Sequence, residues 1–578
     1  MYKSFNDVVI ARARDQATRT AYLFLRDGEH DEVRVTYGEI DRQARAIAAR
    51  LRETCAPGDR ALLLYPPGLE FISAFFDCLY AGVIAVPSYP PDPTRLAISL
   101  ARLQVIAADS GARAVLGTAQ VTERHAELGV AVPALRDAAW IATDRELAAA
   151  SVEFTPIAAG PASIAFLQYT SGSTAAPKGV VVSHGNILHN EIVICTGMEL
   201  GPQSFGVGWL PLYHDMGLIG NVFAGVYAGF PMALMSPLRF VQSPIRLLRA
   251  ISRYRATVCG GPNFGYEHCI QRITEAEKAT LDLSSWRTAF NGAEPIRADT
   301  LTRFIEAFAP CGFAPQTIFP CYGLAESTLM VTGKPRGQRF RFAALDKASL
   351  EDHRVVDAGA GPAVALTSCG CAGPGVEIEI VDPETGRRTA ADRVGEIWLA
   401  GPSIAQGYFG KPDATWRTFD ARIAGDPTAG PFLRTGDLGF LRGGELYVAG
   451  RIKDLIVVRG RKLHPQDLER TAEAAHPALR SGSCAAFAIE HGGEEAVGLV
   501  AAIKGDTVDA QAVFGSLRQA LSDGHQILPA ALVLTRPADL PKTSSGKLQR
   551  HACREAFLSG SLQATAVWRA GALENQRP

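Results

Sequence analysis

The spacing of apolar positions divides the chain into short buried blocks and longer amphipathic stretches. Thr36-Tyr37-Gly38-Glu39 has the form of a capping box, and Ile40, Ala44, Ile47 and Leu51 then recur at helical spacing, which predicts a helix. Residues 61–65 read as a buried strand closed by Pro66-Pro67, followed by a helix from Phe71, a strand over 83–86, a helix over 95–108 and a short strand over 113–117. Strands alternating with helices imply a parallel α/β sheet. A connector over 148–161 leads to a further strand at Ile164-Ala165-Phe166-Leu167. Residues 200–270 are rich in aromatic residues, which suits a pocket lining, although composition alone favours ordinary core.

The pattern weakens over 333–362, which is charged and glycine-rich and reads as an inserted segment. Strands over 376–381 and 395–399, joined by the turn Asp382-Pro383-Glu384-Thr385-Gly386, then suggest an antiparallel β subdomain. Helices over 465–475 and 510–521, with strands over 485–489, 499–503 and 531–535, make a small mixed unit at the end.

A chain of 578 residues is too long for one core. Its formal net charge of −1 offers nothing to attract nucleic acid. The most apolar stretch, 71–86, contains Asp77 and a turn at Gly82 and is shorter than the roughly 20 residues a membrane span needs. It therefore predicts a buried helix and strand, and no transmembrane segment is expected. Eleven scattered cysteines match neither a disulfide framework nor a zinc pattern, so a reduced cytoplasmic setting is expected.

Candidate chemistry begins at residues 169–180, Tyr-Thr-Ser-Gly-Ser-Thr-Ala-Ala-Pro-Lys-Gly-Val. Thr170, Ser171, Ser173 and Thr174 supply hydroxyls, Gly172 and Gly179 permit close backbone approach, and Lys178 adds a cation, as a phosphate cradle requires. A Walker A loop is excluded, because Lys178 stands between Pro177 and Gly179. A flexible surface loop of the same composition reads equally well. Further motifs are Tyr213-His214-Asp215-Met216-Gly217, Asn291-Gly292-Ala293-Glu294-Pro295, Cys321-Tyr322-Gly323-Leu324-Ala325-Glu326-Ser327, Arg434-Thr435-Gly436-Asp437, Gly450-Arg451-Ile452-Lys453-Asp454 and Ser544-Ser545-Gly546-Lys547. An aromatic ring for a base and a carboxylate for a cation would suit a magnesium nucleotide. Singly, each motif is an ordinary turn, and a lone lysine such as Lys547 is usually just solvated.

In this order the motifs resemble the adenylate-forming superfamily of acyl-CoA synthetases, luciferases and nonribosomal-peptide adenylation domains, over essentially the whole chain. Within it the chain is most similar to the fatty acyl-AMP ligases, through the motifs at 167–172, 209–217, 291–295 and 322–326 and the extra segment 333–362. The resemblance implies an α/β fold with a large N-terminal domain of parallel α/β sheets (1–450, its β subdomain at about 363–450), a hinge at 451–453 and a small mobile α+β lid (454–578). It implies ATP and Mg²⁺ as cofactors. A fatty-acid carboxylate attacks the α-phosphate, pyrophosphate leaves, and the acyl group passes to a thiol. Since a carboxylate is already nucleophilic, the first half needs positioning and charge neutralisation and no general base.

By the same resemblance, Thr170, Ser171, Gly172, Ser173, Thr174 and Lys178 hold the β- and γ-phosphates, and Glu326, with Thr170, serves the metal. Tyr322 stacks on adenine near Gly292, Ala293 and Glu294, with Gly323, Leu324 and Ala325 beside the nucleotide; Asp437 accepts from the ribose, and Arg451 touches the nucleotide. His214 lies beside the carboxylate pocket, Lys453 is the hinge, and Lys547 bridges the carboxylate and the α-phosphate as the foremost catalytic residue. One departure is Ala325, where many superfamily members have threonine; fatty acyl-AMP ligases often share the alanine, and Ser327 or Thr328 is open as a substitute. The implied acyl tunnel falls in residues 205–264. The implied acceptor is a separate holo acyl carrier protein or a carrier domain of a polyketide or nonribosomal peptide synthetase. The alternatives are a long-chain acyl-CoA ligase, and a non-catalytic acyl-adenylate-binding protein.

Overall fold

The computed structural model describes residues 2–92, 96–146, 154–170, 177–458, 461–492, 494–505, 508–542 and 548–570. Ser171, Gly172, Ser173, Thr174 and Lys547 lie outside these ranges. The first predicted helix forms as Tyr37–Leu51. Thr36 Oγ1 accepts from the Glu39 amide at 3.2 Å and Glu39 Oε2 accepts from the Thr36 amide at 2.8 Å, while Ile40, Ala44, Ile47 and Leu51 face the core.

Two sheets share the main core. The smaller has six strands in the order Ala139–Ala142, Ala114–Gly117, Arg60–Leu64, Ile84–Ser88, Ile164–Thr170, Lys178–Ser183. The first five are parallel, as the alternating pattern predicts, and the last folds back antiparallel. That return strand is not foreseen in the sequence, where Lys178 belongs to a loop. Helix Glu70–Ala81 packs beneath, buried throughout from Phe71, and ends at Gly82, whose φ of 69° is the left-handed conformation a helix stop requires. Phe75 meets Phe166 and Phe223 edge-on, with ring centroids 5.6 and 5.2 Å away, which joins this helix to the six-stranded sheet and to the segment Leu218–Phe223. Among the described residues no helix is long and apolar enough to cross a membrane.

The larger sheet has fourteen strands. Its parallel part runs from Thr20–Leu25 through Met232–Met235, Gly206–Gly208, Val258–Gly261 and Thr288–Asn291 to Ile318–Gly323. It then continues antiparallel through Met330–Gly333, Ala363–Ala372, Glu445–Arg451, Leu433–Arg442 and Gly395–Ala400 to Glu377–Val381. The β strands read from the sequence over 376–399 are thus the far edge of the same sheet. Segment 333–362 is packed: strand Phe342–Asp346 pairs with Ala363–Ala372, and Ala343, Leu345, Leu350 and Val355 cluster with Leu438 and Phe440.

Four strands form a separate C-terminal sheet, Leu479–His491, Glu494–Ile503, Ala531–Thr535 and Ala566–Arg569. Helices Pro465–Ala475 and Ala510–His525 cover one face through Leu468, Ala472, Phe514 and Leu517, and Arg550–Leu558 covers the other through Cys553 and Phe557. Polar contacts tie this unit to the rest. Arg297 Nη1 meets the buried Glu473 at 2.7 Å, Arg461 Nη2 meets Glu351 at 2.7 Å, and Lys347 Nζ meets His525 Nδ1 at 2.7 Å.

Candidate active site

A cleft of about 1390 Å³ opens where the parallel strands of both sheets end and the C-terminal unit begins. The carboxyl ends of parallel strands are where α/β sheets hold ligands, because the chain there turns outward into loops and exposes backbone donors. Into this cleft the fold brings Lys178, His214, residues 293–294, residues 321–326, Asp437 and residues 450–453.

Thr170 and Lys178 face each other at the top of the hairpin, Thr170 being the last residue of one strand and Lys178 the first of the next. Its base is fixed by a part-buried network that sequence reasoning missed. Asp109 accepts from the Tyr169 hydroxyl at 2.8 Å and from Lys411 Nζ at 2.5 Å. Residues 406–409 then add to the open edge, with Val181 donating to Gly407 O at 2.9 Å and Phe409 donating to Gly179 O at 2.8 Å. Gly179 has to be glycine, since a Cβ there would stand 2.9 Å from the Tyr169 ring. The Lys178 ammonium lies 4.6 Å from the centroid of the Tyr408 ring, and burial first, then the neighbouring Lys453, push its pKa below the usual lysine range.

Glu326 follows strand Ile318–Gly323 in a one-turn 3-10 helix. Its Oε1 accepts from the Tyr408 hydroxyl at 2.9 Å, and burial raises its pKa despite that bond. The turn leaves no room for side chains: a Cβ at Gly323 would meet Leu329 O at 1.8 Å. Thr328 has φ 69° and ψ −65°, with Leu329 donating to Ser327 O at 2.9 Å, which is a γ-turn of the strained kind. Ser327 Oγ donates to Leu324 O at 3.0 Å and Thr328 Oγ1 to Ser403 O at 2.6 Å, both buried. Neither hydroxyl replaces the one absent at Ala325.

Tyr322, Asp437 and Arg451 form one cluster. Asp437 Oδ2 accepts from the Tyr322 hydroxyl at 2.7 Å, and Oδ1 accepts from Arg451 Nε at 2.9 Å. Burial, then the Asp437 carboxylate, push the Tyr322 phenol far above its usual pKa, so it stays a donor. Arg451 reaches Asp437 because strands Leu433–Arg442 and Glu445–Arg451 are paired with Asp437 opposite Arg451. The turn before Asp437 hangs on the buried Glu396, which accepts from Arg434 Nη2 at 2.7 Å, Trp398 Nε1 at 2.9 Å and the Gly436 amide at 3.1 Å. Sequence reasoning missed Glu396 because Arg434 and Gly436 lie on a neighbouring strand.

The loop after strand Thr288–Asn291 turns at Ala293, φ 69°, and sends Glu294 Oε1 to the Phe264 amide at 2.6 Å. That carboxylate sits at the N-terminus of helix Asn263–Arg272, where a negative charge is favoured. Gly292 packs against Cys321, with a Cβ there 3.0 Å from its sulfur. His214 Nδ1 lies 2.5 Å from Asp215 Oδ1, and Tyr213 O accepts from Gln168 Nε2 at 3.1 Å, which ties this loop to the strand leading into the hairpin. Lys453 lies in the short turn Ile452–Asp454. Just before it, Gln466 Nε2 donates to Ala449 O at 2.5 Å, and the His464 ring packs so closely on Gly450 that a Cβ would be 2.7 Å away. Lys542 and Leu548, which flank the stretch holding Lys547, also line the cleft.

Most aromatic residues over 205–264 are core: Trp209 stacks on Phe240 at 4.0 Å and Phe205 on Tyr254 at 5.4 Å. The apolar part of the cleft is lined by Ile194, Met198 and Leu329 together with Tyr213, Met216, Gly220 and Phe264 of that region.

This combination of a hairpin with a basic residue, a half-buried carboxylate and a tyrosine–aspartate–arginine cluster at one interface defines a nucleotide-activating enzyme. The AMP-binding enzyme family matches residues 10–409, and the Disco-interacting protein 2-like AMP domain matches residues 453–567. A medium-chain-fatty-acid–acyl-carrier-protein ligase of Moorena producens is 43% identical over 97% of this chain and 96% of its own. A putative fatty-acid–CoA ligase of Mycobacterium tuberculosis is 36% identical over 96% and 97%. The crystal structure of a fatty acyl-adenylate ligase of L. pneumophila, in complex with acyl adenylate and pyrophosphate, superposes with a TM-score of 0.76 at 40% identity, covering 99% of both chains. The chain belongs to the fatty acyl-AMP ligase family of adenylate-forming enzymes.

Proposed function

We propose that this enzyme activates a medium- or long-chain fatty acid with ATP to an acyl-adenylate, and passes the acyl group to the phosphopantetheine thiol of a separate acyl carrier protein or synthetase carrier domain. The observation that carries the reading is the convergence of Lys178, Glu326 and the Tyr322–Asp437–Arg451 cluster on one cleft with an apolar flank. A crowded anionic transition state is favoured by fixed cations and donors in a site poor in water. In this reading the hairpin and Lys178 grip the β- and γ-phosphates, Asp437 takes the ribose hydroxyls and Tyr322 lies against the base. Lys547 enters from the C-terminal unit to bridge the carboxylate and the α-phosphate, with His214 beside the carboxylate. The acyl chain runs between Ile194, Met198, Leu329 and Met330.

Among the described residues no three His, Cys, Asp or Glu side chains are grouped as a metal cage. A single half-buried carboxylate suits Mg²⁺ held mainly by phosphate oxygens, and Glu326, whose one side-chain partner among the described residues is a phenol, fits that role. The ion would neutralise phosphate charge. All eleven cysteines are free thiols, which fits the reducing cytoplasm, where we place the enzyme.

A second reading, transfer to CoA, is favoured by the relative named a CoA ligase. A panel of fatty acids with ATP, scored for acyl-AMP release and for transfer to CoA and to holo carrier protein, separates the two. Transfer to CoA at a rate equal to that for carrier protein would overturn the preferred acceptor, and absence of fatty-acid-dependent pyrophosphate exchange would overturn adenylation.

A further inference from the structure

We propose that Tyr408 is a positioning residue for adenylation, a spacer that keeps the Glu326 carboxylate and the Lys178 ammonium from closing on each other, so that both stay available to the nucleotide. The inference rests on the adenylation reading above. Glu326 and Lys178 both lie against Tyr408, one on its hydroxyl and one on its ring, yet among the described residues no ion pair joins them. Opposite charges in a half-buried cleft otherwise pair, and a pair would offer neither a cation to phosphate nor an anion to a metal.

Tyr408 satisfies both without neutralising either. Its hydroxyl gives Glu326 Oε1 a charge-assisted hydrogen bond of 2.9 Å, and its ring face holds the ammonium 4.6 Å from the centroid. The ring is held firmly in place. The Tyr408 amide donates to Thr415 Oγ1 at 2.9 Å, Phe419 packs edge-on at 5.2 Å, and the backbone bridges to Val180 on the hairpin. Burial, with the adjoining carboxylate, keeps the phenol protonated and donating.

The test uses the full chain and calorimetric titration of ATP in EDTA, so that no metal contributes. Tyr408→Phe keeps the ring but releases Glu326, which then pairs with Lys178. Metal-free ATP affinity is expected to fall about fivefold, the scale of one partly exposed ion pair. Tyr408→Phe combined with Glu326→Gln, in which no carboxylate remains to pair, is expected to recover the wild-type affinity. An unchanged affinity in Tyr408→Phe, or a loss that Glu326→Gln does not restore, overturns the spacer and leaves Tyr408 a packing residue. Fatty-acid-dependent pyrophosphate exchange by the wild-type chain is measured alongside: its absence counts against the adenylation reading itself, whereas its presence with an unrescued variant counts against the spacer alone.

Discussion

Replacing Asp437 by alanine tests the proposed nucleotide end of the cleft most directly. The carboxylate is buried and accepts at 2.7 Å from Tyr322, itself deep in the site, and at 2.9 Å from Arg451, whose side chain is 55% exposed. Losing the acceptor strands a buried phenol, at a cost of about 1–3 kcal/mol. The half-exposed arginine adds no more than about 1 kcal/mol, because water and salt screen that pair. The fold should therefore lose about 1–4 kcal/mol, and Asp437→Asn, which keeps an oxygen for the phenol, roughly half as much. Nucleotide binding should suffer more than the fold. If the ribose diol donates to this carboxylate, removing a charged acceptor raises the KM for ATP by about 10- to 100-fold. Pyrophosphate exchange with ATP and with 2′,3′-dideoxy-ATP separates this from general damage. The wild-type enzyme should prefer ATP strongly and Asp437→Ala should treat the two alike; a variant that still discriminates against the dideoxynucleotide refutes the assignment.

Three further outcomes are expected. Lys547→Ala should lower adenylation by about 10²- to 10³-fold, the loss expected for one transition-state donor, while transfer from preformed acyl-AMP survives; normal pyrophosphate exchange would exclude the role. Lys453→Pro should spare adenylation and impair transfer if the turn there is a hinge, and equal loss of both, measured by separate assays of each half-reaction, speaks against it. Among the described residues the buried His464 has no hydrogen-bond partner, and burial lowers its pKa from 6.5 to about 4. The unfolded chain therefore binds a proton that the folded chain rejects, so the stability it contributes is intact above pH 6.5, falls by about 2–4 kcal/mol toward pH 4 and is level below. Urea unfolding of His464→Phe across this range should show a flatter acid limb than the wild type.

Local rules made the element inventory legible. The Thr36 capping box, the glycine stop at Gly82 and the helix Pro465–Ala475 all stand where the spacing places them, because each is decided by neighbours a few residues away. The motifs of the cleft were legible as a set and not singly, since Asp437 meets Tyr322 and Arg451 from other strands. The return strand Lys178–Ser183 escaped notice because glycine and proline before it read as the continuation of a loop. Asp109, Lys411 and Glu396 escaped because the partners Tyr169, Asp109 and Arg434 lie far away along the chain, to which periodicity is blind. Tyr408 carried a faint signal, an aromatic in Gly407-Tyr408-Phe409-Gly410 with glycine on either side of the pair.

The stitching of residues 406–409 onto the hairpin also bears on how the enzyme is made. The strand Lys178–Ser183 is the last of its sheet, and its outer amides and carbonyls find their partners only when residues 406–409 arrive. At ribosomal speeds that interval is on the order of ten seconds or more, during which a nascent chain shows a raw apolar edge. Fragments that stop short of residue 409 should therefore be the sticky ones, clumping through that edge, whereas breaks placed after it should release a body with that edge already covered.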